Sequence, residues 1–158
     1  MGLIDWFKRL LSGADGAAPA IDEAAADLGG LNFKTAIEAH IKWKARLEDY
    51  IQGRSQEDLQ VEVVRRDDQC LLGKWIHGSG GERYGAVEAF AEMQEAHADF
   101  HRYAGMVLAA AQAGDKINAL AMLQHGAYVR ASERVKMLLA RLYVRLDEGR
   151  RAAPPGLT

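Results

Sequence analysis

Between Pro19 and Pro154 this chain contains no proline. So long a stretch without the residue that most strongly interrupts helices suits long helices, and hydrophobic periodicity says where they run. Asn32 is a good N-cap and Gly53 a stop, which predicts a first helix from Asn32 to Gln52. Its inward stripe is Phe33, Ile37, His40, Leu47 and Ile51, with Ile41 and Trp43 on the flanks. Ser55-Gln-Glu-Asp58 reads as a further helix start leading into Val61, Val63 and Val64. Asp67-Asp-Gln-Cys70 precedes a short helix holding Leu71, Leu72, Trp75 and Ile76, which Gly78-Ser-Gly-Gly81 ends. A long helix from Tyr84 to Ala113 carries the seam Val87, Phe90, Gln94, His97, His101, Ala104, Leu108 and Ala111. Gly114 closes it. Asp115 caps a last helix bearing Ile117, Leu120, Ala127, Ala131, Val135, Leu138, Leu142 and Leu146. No alternating strand pattern of useful length occurs. The expected fold is all-α: a four-helix bundle with a short additional helix around the cysteine and a short N-terminal amphipathic helix.

The ends differ from this body. Leu3, Ile4, Phe7, Leu10 and Leu11 recur at helical spacing, and Ser12 to Ala20 is a linker of small residues. Residues 1–30 are therefore expected to be an amphipathic segment and linker, residues 31–148 the bundle, and residues 149–158 a flexible tail. The amphipathic stripe of residues 1–11 has two readings. One is a weak membrane-surface or partner-docking anchor. The other, which we favour because most such stripes end in a core, is a helix packed back on the bundle or into an oligomer interface.

At 158 residues, 49% hydrophobic and 27% charged, the chain has the size and composition of one globular domain. A net charge of −2 argues against a nucleic-acid partner, which calls for a basic surface. One cysteine cannot form an intramolecular disulfide, no apolar run approaches a transmembrane length, and the N-terminus has the wrong charge order for a signal peptide. These features place the chain in the cytoplasm.

The only cysteine and three of the five histidines form the candidate chemical site. His97 and His101 are four residues apart, so they differ by about 40° around a helix and point the same way. His40 lies on the inward stripe of its own helix. Three inward imidazoles without a common partner would carry a desolvation cost of a few kcal/mol each, which a shared cation removes. Cys70, at the first turn of its short helix where the dipole favours thiolate, completes a tetrahedral set for Zn2+. His77, at the glycine-rich break, and His125, off the main stripe of the last helix, are poorer candidates. Trp43 and Trp75 read as core packing that also dries the metal's surroundings. Gly73 reads as the point where another helix backbone comes close.

His40-x-x-Trp43, Cys70-x-Leu72-Gly73-x-Trp75 and His97-x-x-x-His101, in that order, resemble the chemoreceptor zinc-binding family of bacteria across roughly Asn32 to Leu146. The resemblance implies zinc on His40, Cys70, His97 and His101, and a role in sensing zinc or oxidants such as hypochlorous acid. It also implies partners in chemoreceptor or diguanylate cyclase signalling. No signalling coiled coil, GGDEF-type domain or PAS sensor accompanies these motifs, so output is expected through another protein or through self-association as a homodimer. A closed four-ligand site leaves no position for a catalytic water, and no nucleophile–base pair or phosphate loop is apparent, so no enzymatic activity is expected. The alternative from another class is a structural zinc protein serving as an interaction scaffold. A zinc-dependent hydrolase or transferase, with one ligand displaced by water, ranks third.

Overall fold

The computed structural model describes residues 27–152, together with Asp5, Trp6 and Arg9. The other residues of the amphipathic segment 1–11, the linker 12–20 and the end of the tail, 153–158, lie outside the described residues. Asp5, Trp6 and Arg9 are helical and Trp6 is buried in the core, whereas the stripe residues Leu3, Ile4, Phe7, Leu10 and Leu11 lie outside the described residues.

A two-residue hairpin opens the body, β1 (Asp27–Leu28) against β2 (Leu31–Asn32), turning through Gly29 and Gly30 at φ 61° and 87°. Only glycine adopts such a pair of left-handed residues at low cost. Helix α1 (Phe33–Ile51) follows directly, with the Asn32 side chain accepting from the Thr35 N–H at 2.9 Å and Gly53 closing it at φ 75°. Phe33, Ala36, Ile37, His40 and Leu47 form its buried face.

The chain does not re-enter a helix at Ser55. Ser55 Oγ accepts from the Glu57 N–H, and the Leu59 carbonyl accepts from Gln112 Nε2 at 2.8 Å, so one local and one long-range side-chain bond occupy the backbone before α2 (Val61–Val64). Helix α3 (Leu71–Ile76) begins at Cys70 as expected. The helix ends before Gly78 as expected, and the run then continues as α4 (Ser79–Tyr84), where glycine is needed because a Cβ on Gly80 would lie 2.5 Å from the Trp75 ring and one on Gly81 would lie 2.4 Å from the Ile76 carbonyl oxygen. Helix α5 (Glu88–Gln112) starts four residues later than the seam suggests, after a turn at Gly85.

The expected last helix is two. Asp115 caps α6 (Lys116–Gln124) by accepting from the Asn118 N–H at 3.1 Å, and Gly126 at φ 89° then breaks the axis before α7 (Ala127–Ala152). With that break α6 turns Ala119 and Leu123 inward and leaves Ile117 85% exposed, against its place on the expected stripe. Helix α7 runs past residue 149 through Ala152, its last turn held by Arg150 and Arg151 on the buried Asp147 carboxylate.

The fold is all-α and bundle-like: α5 packs along α7, α1 lies against both, and α6 closes the fourth side. The segment α2–α4 packs beside the bundle, with α2 against α5 and Cys70 reaching the histidines of α1 and α5. Trp75 pins it there, donating from Nε1 to the Gly29 carbonyl at 2.8 Å while its ring meets Phe33 and Phe90 at 5.9 and 5.6 Å. Among the described residues no helix is long and apolar enough to cross a membrane.

Candidate metal centre

Three separate pieces of chain bring their side chains to one point. His40 comes from the middle of α1, Cys70 from the N-cap of α3, and His97 and His101 from successive turns of α5. The four ligand atoms lie within 4.8 Å of one another. Cys70 Sγ is 3.3 Å from His97 Nε2 and 3.6 Å from His101 Nε2, and the two Nε2 atoms are 3.1 Å apart. The edges of a tetrahedral zinc site built from ordinary bond lengths are about 3.3 Å between nitrogens and about 3.6 Å from sulfur to nitrogen. The three measured edges match these values to within 0.3 Å.

Two of the rings are oriented by backbone carbonyls. His40 Nδ1 donates to the Ala36 carbonyl at 2.7 Å and His101 Nδ1 donates to the Val64 carbonyl at 2.8 Å. In the neutral rings each Nε2 then carries a bare lone pair facing the cluster, the arrangement that metal-bound imidazoles adopt. His40 Nε2 is buried and has no hydrogen-bond partner. His97 Nδ1 is likewise buried and without one, so this ring lacks the carbonyl anchor of the other two. No assignment of protons satisfies every nitrogen of the three rings, whereas a cation accepts all three Nε2 lone pairs at once. The residues fit a zinc ion on this ground.

Electrostatics agree. His40, His97 and His101 are 2%, 0% and 3% exposed, and Phe100 packs on His40 and His101 with ring centroids 5.1 and 5.4 Å away. Burial lowers the pKa of His40 to about 4 and that of His97 to about 2, and lowers that of His101 as well, so the rings stay neutral and able to bind metal. Cys70 behaves differently from the expectation that its helix start favours the thiolate. Its Sγ does accept from the Gly73 N–H at 3.3 Å, yet burial outweighs that bond and raises the thiol pKa, with the Asp67 charge adding to it. A nearby cation is what would ionise it.

The remaining histidines stand apart. His77 Nε2 pairs with Asp67 Oδ2 at 3.0 Å on the surface, and His125 is exposed at the end of α6. Trp75 is core, as its ring contacts show. Trp43 is half-buried beneath the Arg46 guanidinium, 3.9 Å from its ring centre. Gly73 admits a close backbone, but that backbone is the preceding turn rather than a helix: a Cβ there would lie 1.7 Å from the Asp67 carbonyl oxygen. The orienting carbonyls of Ala36 and Val64 had no sequence signal, since every residue carries one. Gly105 is the one residue that hinted at the second, because its missing Cβ lets Arg65, next to Val64, approach α5.

Residues 40–108 match the chemoreceptor zinc-binding domain. Over this segment the chain is similar to that family. The matched stretch opens on His40 and contains all four clustered residues, whereas α6 and α7, which complete the bundle, lie beyond it. The zinc-binding character of the domain and the chemistry of the cluster agree on the class of ligand. No curated protein and no solved structure matches the chain.

Proposed function

We propose that the chain is a zinc-dependent regulatory module in which His40, Cys70, His97 and His101 hold one Zn2+ and Cys70 is the ligand that senses. The observation that carries this reading is the convergence of three buried imidazoles, two of them orientated by backbone carbonyls, and a cysteine within 4.8 Å of one another, with tetrahedral edge lengths among Cys70, His97 and His101. Bound zinc supplies the positive charge that keeps Cys70 ionised near neutral pH. The imidazoles are at most 3% exposed, whereas Cys70 is half-buried and is the only member of the set that a two-electron oxidant can convert. Its thiolate attacks hypochlorous acid, taking the hydroxyl and releasing chloride, and leaves a sulfenic acid that no longer supplies an anionic ligand. The Asp67–Ile76 segment then loses its tether while His97 and His101 stay on α5.

The family description, a zinc-binding domain of chemoreceptors, supports an output to a signalling partner; chemotaxis or cyclic-di-GMP proteins as that partner, a cytoplasmic homodimer as the acting form and the absence of any catalysed reaction are further parts of this proposal. The test is metal content and affinity. Wild-type protein and the His77→Ala and His125→Ala variants should carry one zinc per chain, and alanine at any of the four clustered positions should remove it. Retention of zinc after His40→Ala would break the assignment. Equimolar hypochlorous acid should modify Cys70 and release zinc. Methionine oxidation alone, with zinc retained, would leave a structural zinc scaffold as the function.

A further inference from the structure

A cavity of about 470 Å3 lies between α1, α2 and the turn before α3. Of the four clustered residues, Cys70 and His101 line it and His40 and His97 do not. The metal centre is thus open on one edge, where the cysteine is, and closed by packed helix on the others. The cavity has the size of a small-molecule site. One wall is the ring of Trp43, held by the Arg46 guanidinium, which Glu57 fixes in turn at 2.7 Å. Val63, 50% exposed, stands on the facing wall. Among the charged lining residues Arg46 is already paired with Glu57, and Lys42 and Asp58 carry opposite charges.

We propose that this cavity is the exchange port of the metal centre, the path by which a small thiol or chelator reaches Cys70 and His101 to deliver or withdraw the metal. The port rests on the zinc reading above and adds the route and the side of attack. Metal exchange at a buried site is set by access, so a plug in the cavity changes rates without changing affinity. Sterically small reagents are the preferred occupants.

Two substitutions from opposite walls plug it: Val63→Trp on α2 and Ala39→Trp on the exposed face of α1. Ile41→Trp, on α1 but outside the lining, is the control. In metal-free protein, alkylation of Cys70 by iodoacetamide should slow roughly tenfold in both plugged variants, the effect of one modest steric barrier, and not in the control. Lys42→Glu should lower the iodoacetate rate roughly tenfold relative to that of neutral iodoacetamide. In zinc-loaded protein, transfer of zinc to EDTA should slow in the plugged variants while the equilibrium affinity stays that of wild type. Thermal unfolding shows which variants are folded, and either plug alone suffices. Unchanged alkylation and unchanged transfer in a folded plugged variant would overturn the port. Wild-type protein that takes up no zinc would overturn the zinc reading and the exchange role with it, and alkylation would then separately report whether the cavity is the path to the thiol.

Discussion

Replacing Gly73 by alanine sets two effects against each other. Inside a helix alanine is favoured over glycine by about 1 kcal/mol, which argues for a more stable protein. The added Cβ, however, would lie 1.7 Å from the Asp67 carbonyl oxygen, 2.7 Å from its carbon and 3.0 Å from Asp68 Cα. These are backbone atoms with no flexible end to swing aside. Restoring an ordinary contact needs a retreat of about 1.7 Å by a turn that reaches Cys70 three residues later. Overpacking of this kind costs up to about 3 kcal/mol, so a net loss of about 2 kcal/mol is expected. The same retreat draws Sγ away from edges of 3.3 and 3.6 Å and stretches its bond from the Gly73 N–H, which should weaken zinc binding about 10- to 100-fold. Urea denaturation of the metal-free protein and a zinc competition titration measure the two quantities. Gly149→Ala, in α7 with nothing within 4 Å of the new carbon, isolates the propensity effect and should stabilise. If Gly73→Ala were stabilised as much as Gly149→Ala and bound zinc as wild type does, the close-approach argument would be refuted.

Three further outcomes follow from the same geometry. His40 has a folded pKa of about 4, below its ordinary value of 6.5, so acid favours the unfolded chain; metal-free protein should lose about 3 kcal/mol between pH 6.5 and pH 4 from this residue alone, read from urea midpoints across that range. A Cβ on Gly105 would lie 2.7 Å from Arg65 Cβ and push the adjacent Val64 carbonyl off His101, so Gly105→Ala should lower zinc affinity about tenfold in competition titrations. Tyr128 buries a hydroxyl with no hydrogen-bond partner, and Tyr128→Phe should raise stability by about 1 kcal/mol, seen as a higher melting temperature.

The parts of the fold that were legible are those with a local cause. Asn32, Gly53, Gly114 and Asp115 mark helix ends through their own side chains or backbone angles, and the structure uses each as expected. The four clustered residues were legible because helical spacing and inward stripes are properties of the sequence. What escaped depends on contacts far along the chain. Ser55 looks like a helix start, but Gln112 takes the Leu59 carbonyl across 53 positions and holds the segment open. Gly78 to Gly81 looks like a break, yet Gly80 and Gly81 sit where Trp75 and the Ile76 carbonyl leave no room for a side chain. Gly126 interrupts the last helix through a backbone angle that the apolar stripe around it conceals. The thiol of Cys70 illustrates the same limit in energy: its capping bond is local, but the burial that outweighs it comes from packing of the whole segment.

The cluster draws its ligand atoms from α1, the start of α3, and α5, and none from α7. Yet α7 buries Val135, Leu138, Leu139 and Leu142 against the rest of the bundle, with 0–1% of each exposed. The molecule therefore contains two cooperative units of different kind. One is the helical frame in which α5 and α7 zip together by apolar contact. The other is the short stretch from Asp67 to Ile76, whose far end Leu72, Trp75 and Ile76 hold to the core and whose near end reaches the cluster through Cys70 alone. On the proposed zinc reading, withdrawal of the metal would act as a local melting signal: hydrogen exchange at the Cys70 end of that stretch should rise while the frame keeps its protection.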